Sequence, residues 1–120
     1  INAGQSRSLC YEALSCAKEG DFDAADAKMK EATHFSREAH LVQTQLIEAD
    51  EGEGKTKMTL VMVHAQDHLM TSILAKELIA ELIAVYRSRR LQAERLPGAI
   101  SLKLRSRCAG AAGNLRAIPY

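Results

Sequence analysis

Apolar residues recur at alternating steps of three and four between positions 22 and 46, and this spacing constrains the fold more than any other feature. Such a repeat places its members on one side of an α-helix, so the segment predicts an amphipathic helix of about seven turns. Asp21 comes directly before it and is the predicted N-cap, because its carboxylate can accept a hydrogen bond from a first-turn amide. The apolar members are Phe22, Ala25, Met29, Ala32, Phe35, Ala39, Val42 and Leu46.

Two further helices are predicted on either side of this one. The first ends at Gly20, since glycine adopts the left-handed conformation that commonly terminates helices. The third runs from about Lys57 to Arg90, after a loop at 50–55 that is rich in glycine and charge. Its later turns carry a single apolar stripe, made of Ile73, Leu74, Leu78, Ile79, Leu82, Ile83 and Tyr86.

The first turns of the third helix are apolar on all sides, from Met58 to Val63. Such a segment must be buried on two sides, which indicates that a second copy of the chain covers it. No segment shows the alternating pattern of a strand. The sequence therefore predicts an all-α fold, a three-helix antiparallel bundle with up-down-up order.

Composition limits the classes of protein to which the chain can belong. Its 120 residues are 47% hydrophobic, enough for one small domain with a core and too many for a disordered chain. Three unevenly spaced cysteines do not make a disulfide scaffold and suit the reducing cytoplasm. Uncharged runs such as 58–66 are far shorter than the ~20 residues of a membrane span, so no membrane insertion is expected.

Charge is distributed unevenly along the chain. Residues 1–86 have a formal net charge of −6, whereas residues 87–120 have +7 and hold one acid, Glu94. A basic tail can bind nucleic acid or anionic lipid, but this one has a single aromatic residue, Tyr120, and no helical periodicity. We therefore expect residues 88–120 to form a disordered, solvated tail that binds no nucleic acid.

The residues with chemical potential are His64, Asp67 and His68, which share one face of the third helix because they are spaced i, i+3 and i+4. Two imidazoles and a carboxylate within an apolar segment permit three interpretations. They could bind a metal, although a closed zinc site needs more ligands than the segment offers. One histidine could act as a nucleophile. All three could simply be polar residues satisfied at a helix–helix interface.

Two segments resemble a known family. EAHLVQTQLI (38–47) and VHAQDHLMT (63–71) are similar to the enzyme IIA component of the lactose/cellobiose family of the bacterial phosphoenolpyruvate:sugar phosphotransferase system, most of all to its diacetylchitobiose type. The resemblance covers residues 1–87 and implies one IIA domain there. The resemblance also implies a first helix shortened at its start, before Ile1, and a tail at 88–120 that is not a family feature.

The resemblance also implies a function, a site and partners. His64 would be phosphorylated through Nε2 by the histidine phosphocarrier protein and would pass the phosphoryl group to a cysteine of the cognate IIB, which serves the membrane IIC in uptake of a β-disaccharide. His68 would assist as an auxiliary group. The chain would be a cytoplasmic phosphotransferase component that forms a homotrimer, with Asp67 from each copy sharing Mg²⁺ or another divalent cation on the trimer axis.

One alternative comes from a different class of protein. Residues 17–25 also resemble a generic helical-hairpin repeat of the tetratricopeptide kind, so a non-catalytic adaptor, or an inactive relative of the family, is the competing hypothesis. Such arrays repeat about every 34 residues and need about three copies. The sequence shows no second copy.

Overall fold

A computed structural model describes residues 1–96, which fold into three α-helices. They are α1 (Asn2–Glu19), α2 (Phe22–Asp50) and α3 (Leu60–Arg95). No strand occurs within residues 1–96, which confirms the all-α prediction.

The turn between α1 and α2 forms as the sequence predicts. Gly20 has a φ of 88°, and its amide donates to the Ala17 carbonyl while the Asp21 amide donates to the Cys16 carbonyl. These two bonds satisfy carbonyls that the end of a helix would otherwise leave without partners. The Asp21 side chain then accepts a hydrogen bond of 3.0 Å from the Ala24 amide and caps α2.

The loop between α2 and α3 is closed by a side chain at each end. The Asp50 carboxylate accepts hydrogen bonds from the amides of Thr56 at 2.7 Å and Gly54 at 3.1 Å. Thr59 caps α3, because its hydroxyl accepts from the Met62 amide at 3.2 Å. The third helix therefore begins at Leu60, later than the predicted Lys57.

Small residues of α1 and α2 allow the helices to approach closely. Cys10, Ala13, Ala25 and Ala32 are completely buried. The Ser6 hydroxyl, which is also buried, donates to the Ala32 carbonyl across the interface at 2.8 Å. Larger side chains cover this contact from the sides and are partly buried: Leu14, Phe22, Met29, Phe35 and Tyr86.

Long-range contacts pair neighbouring helices in reverse order. Lys28 of α2 forms an ion pair of 2.6 Å with Glu12 of α1, further along α1 than the contact of Ser6 with Ala32. Between α2 and α3, Arg87 pairs with Asp26 at 2.6 Å, while Gln66 contacts Gln43.

The later part of α3 differs from the prediction of one apolar stripe. Ile79 and Ile83 are each 4% exposed and pack on α1 and α2, but Leu74, Leu78 and Leu82 point away from the bundle. The outward-facing set is called the outer face of α3 below. It consists of Leu60, Val63, Asp67, Met70, Leu74, Leu78, Leu82 and Val85. In α2, Val42 is likewise exposed and does not join the core.

The end of α3 also differs from the prediction. The sequence places a disordered tail from residue 88, yet the helix continues to Arg95. Arg90 and Glu94 form an ion pair of 2.9 Å one turn apart, and Ala93 is buried, so these turns are held by local charge pairing and packing. The remainder of the predicted tail, residues 97–120, lies outside the described residues.

Candidate functional site

Residues His64, Asp67 and His68 lie in the first half of α3 and are brought together as the helical spacing requires. The rings of His64 and His68 meet edge to face, with centroids 6.0 Å apart and planes inclined by 81°. His64 is exposed, whereas His68 is partly buried. The two imidazoles are therefore adjacent but differ in their access to a partner molecule.

His68 is held against the start of α1. A Cβ atom on Gly4 would come within 4.0 Å of its Cε1 atom, so the helices cross here at close range. The Nδ1 atom of His68 is buried and has no hydrogen-bond partner among the described residues. Because buried polar atoms rarely lack a partner, this nitrogen makes His68 a candidate for contact with a bound group.

An open cavity of about 500 Å³ lies beside His68. We call it the histidine cavity. Arg7 and Tyr11 of α1 line it, with the Arg7 guanidinium 6.0 Å from the centre of the Tyr11 ring. The third helix itself has no Lys or Arg between residues 58 and 75. The first helix thus supplies a cation to this part of the molecule, which periodicity within α3 could not have indicated.

Asp67 lies on the outer face of α3, away from the core. Its carboxylate makes no ion pair within residues 1–96. Its neighbours one turn away on either side are Val63 and Met70, which are 50% and 54% exposed. A single chain therefore presents one carboxylate within an uncovered apolar surface.

A polar contact joins α2 to the opposite side of this segment. The Gln43 side-chain amide donates to the Gln66 oxygen and lies 3.9 Å from the Met70 sulfur. The next turn is tied internally, since the Thr71 hydroxyl donates to the Asp67 carbonyl at 2.9 Å. The turn that carries the histidines is therefore tied to α2 through the contact between Gln43 and Gln66.

The remaining histidines stand apart from this site. His34 is exposed, and its ring packs edge to face on Phe35. His40 lines a different cavity between α2 and α3, with Arg37 and Lys76.

The described residues contain no group of three or more His, Cys, Asp or Glu side chains placed to hold a metal ion. A metal at Asp67 would therefore need carboxylates from further copies of the chain. None of the helices within residues 1–96 has the length and apolar character required to cross a membrane.

Comparison with known proteins assigns the chain to a family. Residues 1–87 match the family model for the lactose/cellobiose-specific IIA subunit of the phosphotransferase system. The match covers most of the described chain and includes the whole candidate site. The chain belongs to this family. It is a IIA component of the chitobiose/cellobiose/lactose type and thus a component of a phosphotransferase. The resemblance in the sequence is confirmed.

Individual relatives agree with this assignment. The N,N'-diacetylchitobiose-specific EIIA component of Escherichia coli K12 is 64% identical over 86 residues, covering 72% of this chain and 74% of the relative. The lichenan-specific enzyme IIA component of Bacillus subtilis is 44% identical over 86 residues, covering 72% of this chain and 78% of the relative.

Solved structures of IIA proteins have a similar fold. In a solution structure of a IIA(Chitobiose)–HPr complex, the matching chain is 59% identical, with a TM-score of 0.66 over 75% of this chain and 87% of that one. The cellobiose-specific enzyme IIA of Bacillus anthracis has a TM-score of 0.72 at 42% identity, over 75% of this chain and 83% of that one.

Proposed function

We propose that this IIA component carries a phosphoryl group on His64. The observation that carries the proposal is the exposure of His64 beside the partly buried His68, with ring centroids 6.0 Å apart. A nucleophile that serves two successive protein partners must be reachable from solvent, and an imidazole is nucleophilic near neutral pH. His64 meets both requirements.

The reaction consists of two in-line displacements at phosphorus. The lone pair of His64 Nε2 forms a bond to the phosphorus of the phosphorylated carrier, and the carrier's nitrogen leaves with the electron pair of the broken N–P bond. In the second step a cysteine thiolate of the cognate IIB attacks the same phosphorus, and His64 leaves as a neutral imidazole. Catalysis of this kind depends mainly on positioning and on stabilising transferred charge.

We assign His68 an auxiliary role as a hydrogen-bond donor. A buried N–H without an acceptor is less favourable than a buried bare nitrogen, so the neutral ring holds its proton on Nε2 rather than on the orphaned Nδ1. The Nε2–H group is then available to a phosphoryl oxygen. Arg7, on the far side of the histidine cavity, adds positive charge to the same region.

The partners follow from the family and from one relative. HPr, the histidine phosphocarrier, forms a complex with the IIA(Chitobiose) protein, and the matching chain is 59% identical to this one. We propose the same donor here, with IIB as acceptor and IIC as the membrane component that moves the sugar. The 64% identity to a diacetylchitobiose-specific relative supports diacetylchitobiose, a β-disaccharide, as the transported sugar. A cytoplasmic location follows from these partners.

We also propose that the helices run up-down-up and assemble as a homotrimer. The reverse order of contacts between successive helices supports the first statement. The uncovered outer face of α3, where Leu60 is 85% and Leu74 is 56% exposed, supports the second. Three Asp67 carboxylates meeting at the axis would repel one another, and Mg²⁺ or another divalent cation held by their oxygens would offset that repulsion.

A phosphorylation assay tests the assignment of His64. The chain is incubated with phosphoenolpyruvate, enzyme I and HPr, beside His64→Gln and His68→Gln variants whose helical content is checked by circular dichroism. We expect an acid-labile, base-stable phosphate on the wild type, none on His64→Gln, and a rate lowered by about 100–1,000-fold for His68→Gln, which loses one donor to the transferred group. Label on His64→Gln would move the site to another histidine, and no label on any folded variant would favour the non-catalytic adaptor or inactive relative.

A further inference from the structure

A second cavity, of about 370 Å³, lies between α2 and α3 and differs in chemistry from the histidine cavity. We call it the basic cavity. Three nitrogen-bearing side chains line it, Arg37 and His40 from α2 and Lys76 from α3, together with two hydroxyl residues, Ser36 and Thr44. No Asp or Glu is among its lining residues.

Lys76 occupies a position where an apolar residue would be expected. The inward side of α3 carries Leu69, Ser72, Ile79 and Ile83, all buried, and Lys76 falls at the centre of that series by helical spacing. Its side chain is only partly exposed. The stem of a lysine can lie along apolar surface while its ammonium group reaches the cavity.

The charge of Lys76 is not neutralised within the described part of the chain. Its ammonium group forms no ion pair or hydrogen bond within residues 1–96. It does act on Cys10 across the bundle. Burial raises the pKa of the Cys10 thiol, and the charge of Lys76 opposes that rise. A positive charge therefore remains at this point of the fold.

Ser36 adds an observation that is independent of charge. It is 4% exposed, lines the basic cavity and makes no hydrogen bond through its hydroxyl within residues 1–96. Other hydroxyls on α2 donate to the preceding turn, as Thr33 does to Met29 at 2.8 Å and Thr44 does to His40 at 3.0 Å. The Ser36 hydroxyl borders the basic cavity and can donate to an oxygen of a ligand bound there.

Arg37 completes the set of anion-binding groups. It forms no ion pair within residues 1–96, whereas Arg87 and Arg90 of α3 each pair with a carboxylate. A guanidinium presents its donors as a fork that matches two oxygens of a phosphate, while an ammonium binds a third oxygen as a point charge. Thr44, whose hydroxyl proton is already donated, leaves the oxygen free to accept.

We propose that the basic cavity is a binding site for a small phosphate monoester. Its volume falls within the range of about 300–1,000 Å³ that is typical of small-molecule sites and exceeds what one inorganic phosphate needs. The guanidinium, the ammonium and the Ser36 hydroxyl bind the phosphate oxygens, and His40 and Thr44 contact the organic part. The site is separate from His64 and does not depend on the proposed phosphoryl transfer.

A nuclear magnetic resonance titration of the full chain tests this proposal. The ¹⁵N-labelled protein, with no phosphoryl donor present, is titrated with inorganic phosphate and separately with glucose 6-phosphate, each against sodium chloride at equal ionic strength. We expect saturable shifts centred on the amides of Ser36, His40 and Lys76, with tighter binding of glucose 6-phosphate. Binding of equal strength by both would restrict the site to the phosphate group and overturn the contact with an organic part.

Matched variants assign the binding to the cavity. Lys76→Gln and Arg37→Gln should each weaken the affinity at least tenfold, and Ser36→Ala by about threefold, because each removes one donor to the anion. Lys18→Gln and Lys30→Gln remove lysines outside the cavity and should leave the affinity unchanged. Circular dichroism melting identifies any variant that unfolds. Because each of the three cavity variants is tested by itself, the affinity of the remaining variants still tests the site if one of them fails to fold.

Several outcomes would overturn the proposal. The first is a change in amide chemical shifts that grows linearly with phosphate concentration and does not saturate. The second is a change at the amides of Lys18 and Lys30 as large as the change at the cavity. The third is unchanged affinity in both Lys76→Gln and Arg37→Gln. A lack of phosphate binding in a protein that still accepts label on His64 would reject the basic cavity alone. Binding in a protein that accepts no label would support the basic cavity and reject only the proposed phosphoryl transfer.

Discussion

Burial gives the two histidines of the candidate site different capacities, although they lie one turn apart on α3. His64 is exposed and can meet a phosphoryl donor, whereas His68 is packed against Gly4 of α1 and retains a buried Nδ1 without a partner. A Cβ atom at position 4 would lie in van der Waals contact with this ring, 4.0 Å from its Cε1 atom. The close approach of α1 thus sets the orientation of His68, and through it the surroundings of His64.

Gly20 gives a prediction about stability at the scale of one residue. Its φ of 88° lies in the left-handed region, and an added Cβ would come 2.6 Å from the Arg90 Nη1 atom. Gly20→Ala should therefore lower the free energy of unfolding by about 1–2 kcal/mol, mostly because an L-residue with a side chain is strained at this φ. Urea denaturation monitored by circular dichroism measures the change.

Gly52→Ala serves as the control for Gly20→Ala. Gly52 also has positive φ, at 73°, but nothing lies within 4 Å of its added Cβ and it belongs to an exposed loop. We expect a smaller effect there, because the loop can relax while the turn between two packed helices cannot. A larger loss of stability for Gly52→Ala than for Gly20→Ala would contradict this explanation.

At the scale of helices, the local signals in the sequence were sufficient to place most boundaries. Gly20 and Asp21 act through bonds to residues within five positions, so their roles could be predicted without the fold. The direction of the α3 side chains could not be predicted, because Leu78 and Ile79 are equally apolar and only the packing of α1 and α2 decides which is buried.

The same limit applies to the site. Helical spacing alone placed His64, Asp67 and His68 on one side of α3. It could not show that α1 brings Arg7 to the histidine cavity, since that contact depends on how two helices cross. Glycine at position 4 was the one available signal of close approach. The extension of α3 to Arg95 also escaped prediction, because the basic composition of residues 87–120 suggested a tail from residue 88.

The loop between α2 and α3 gives a prediction about pH. Amides of Thr56 and Gly54 donate to the Asp50 carboxylate and hold its pKa below the ordinary value of 3.8. A lowered pKa in the folded state means that the carboxylate stabilises the fold above pH 3.8, and that this contribution disappears as the pH falls through the lower, folded-state value. Asp50→Ala should therefore lower the melting temperature at pH 7 by a few degrees at most, and the difference from wild type should vanish once the pH is low enough to protonate the carboxylate in the folded state.

Hydrogen exchange would locate the effect of Asp50→Ala. The amides of Thr56 and Gly54 should exchange faster in the variant at neutral pH, since they lose their acceptor. Glu48→Ala is the matched control, an exposed acid on the preceding turn of α2, and should leave both amides unchanged. Equal exchange in wild type and Asp50→Ala would show that the carboxylate does not close the loop.

At the scale of the whole molecule, the apolar surface of one chain is divided between a covered and an uncovered side. The core is built from small residues of α1 and α2 with Leu69, Ile79 and Ile83, while much of the larger aliphatic surface of α3 faces outward. Exposed apolar patches of this extent generally mark a contact with another protein. Asp67 lies within that patch, so its charge must affect any assembly that covers it.

Asp67→Leu therefore separates two roles of this carboxylate. If three copies meet at Asp67, removing the charge abolishes mutual repulsion and adds apolar contact, so the variant should remain trimeric in a chelator at protein concentrations at least tenfold lower than wild type. The wild-type trimer should weaken when divalent cations are removed, whereas the variant should not respond. Light scattering across a dilution series, with and without chelator, measures both effects.

Glu19→Leu, which replaces an exposed acid at the far end of α1, is the control for Asp67→Leu and should keep the wild-type response to chelator. An Asp67→Leu protein that dissociates more readily than wild type, or that behaves identically in chelator, would place the carboxylate away from the axis and leave the apolar side chains of the outer face to form the contact by themselves.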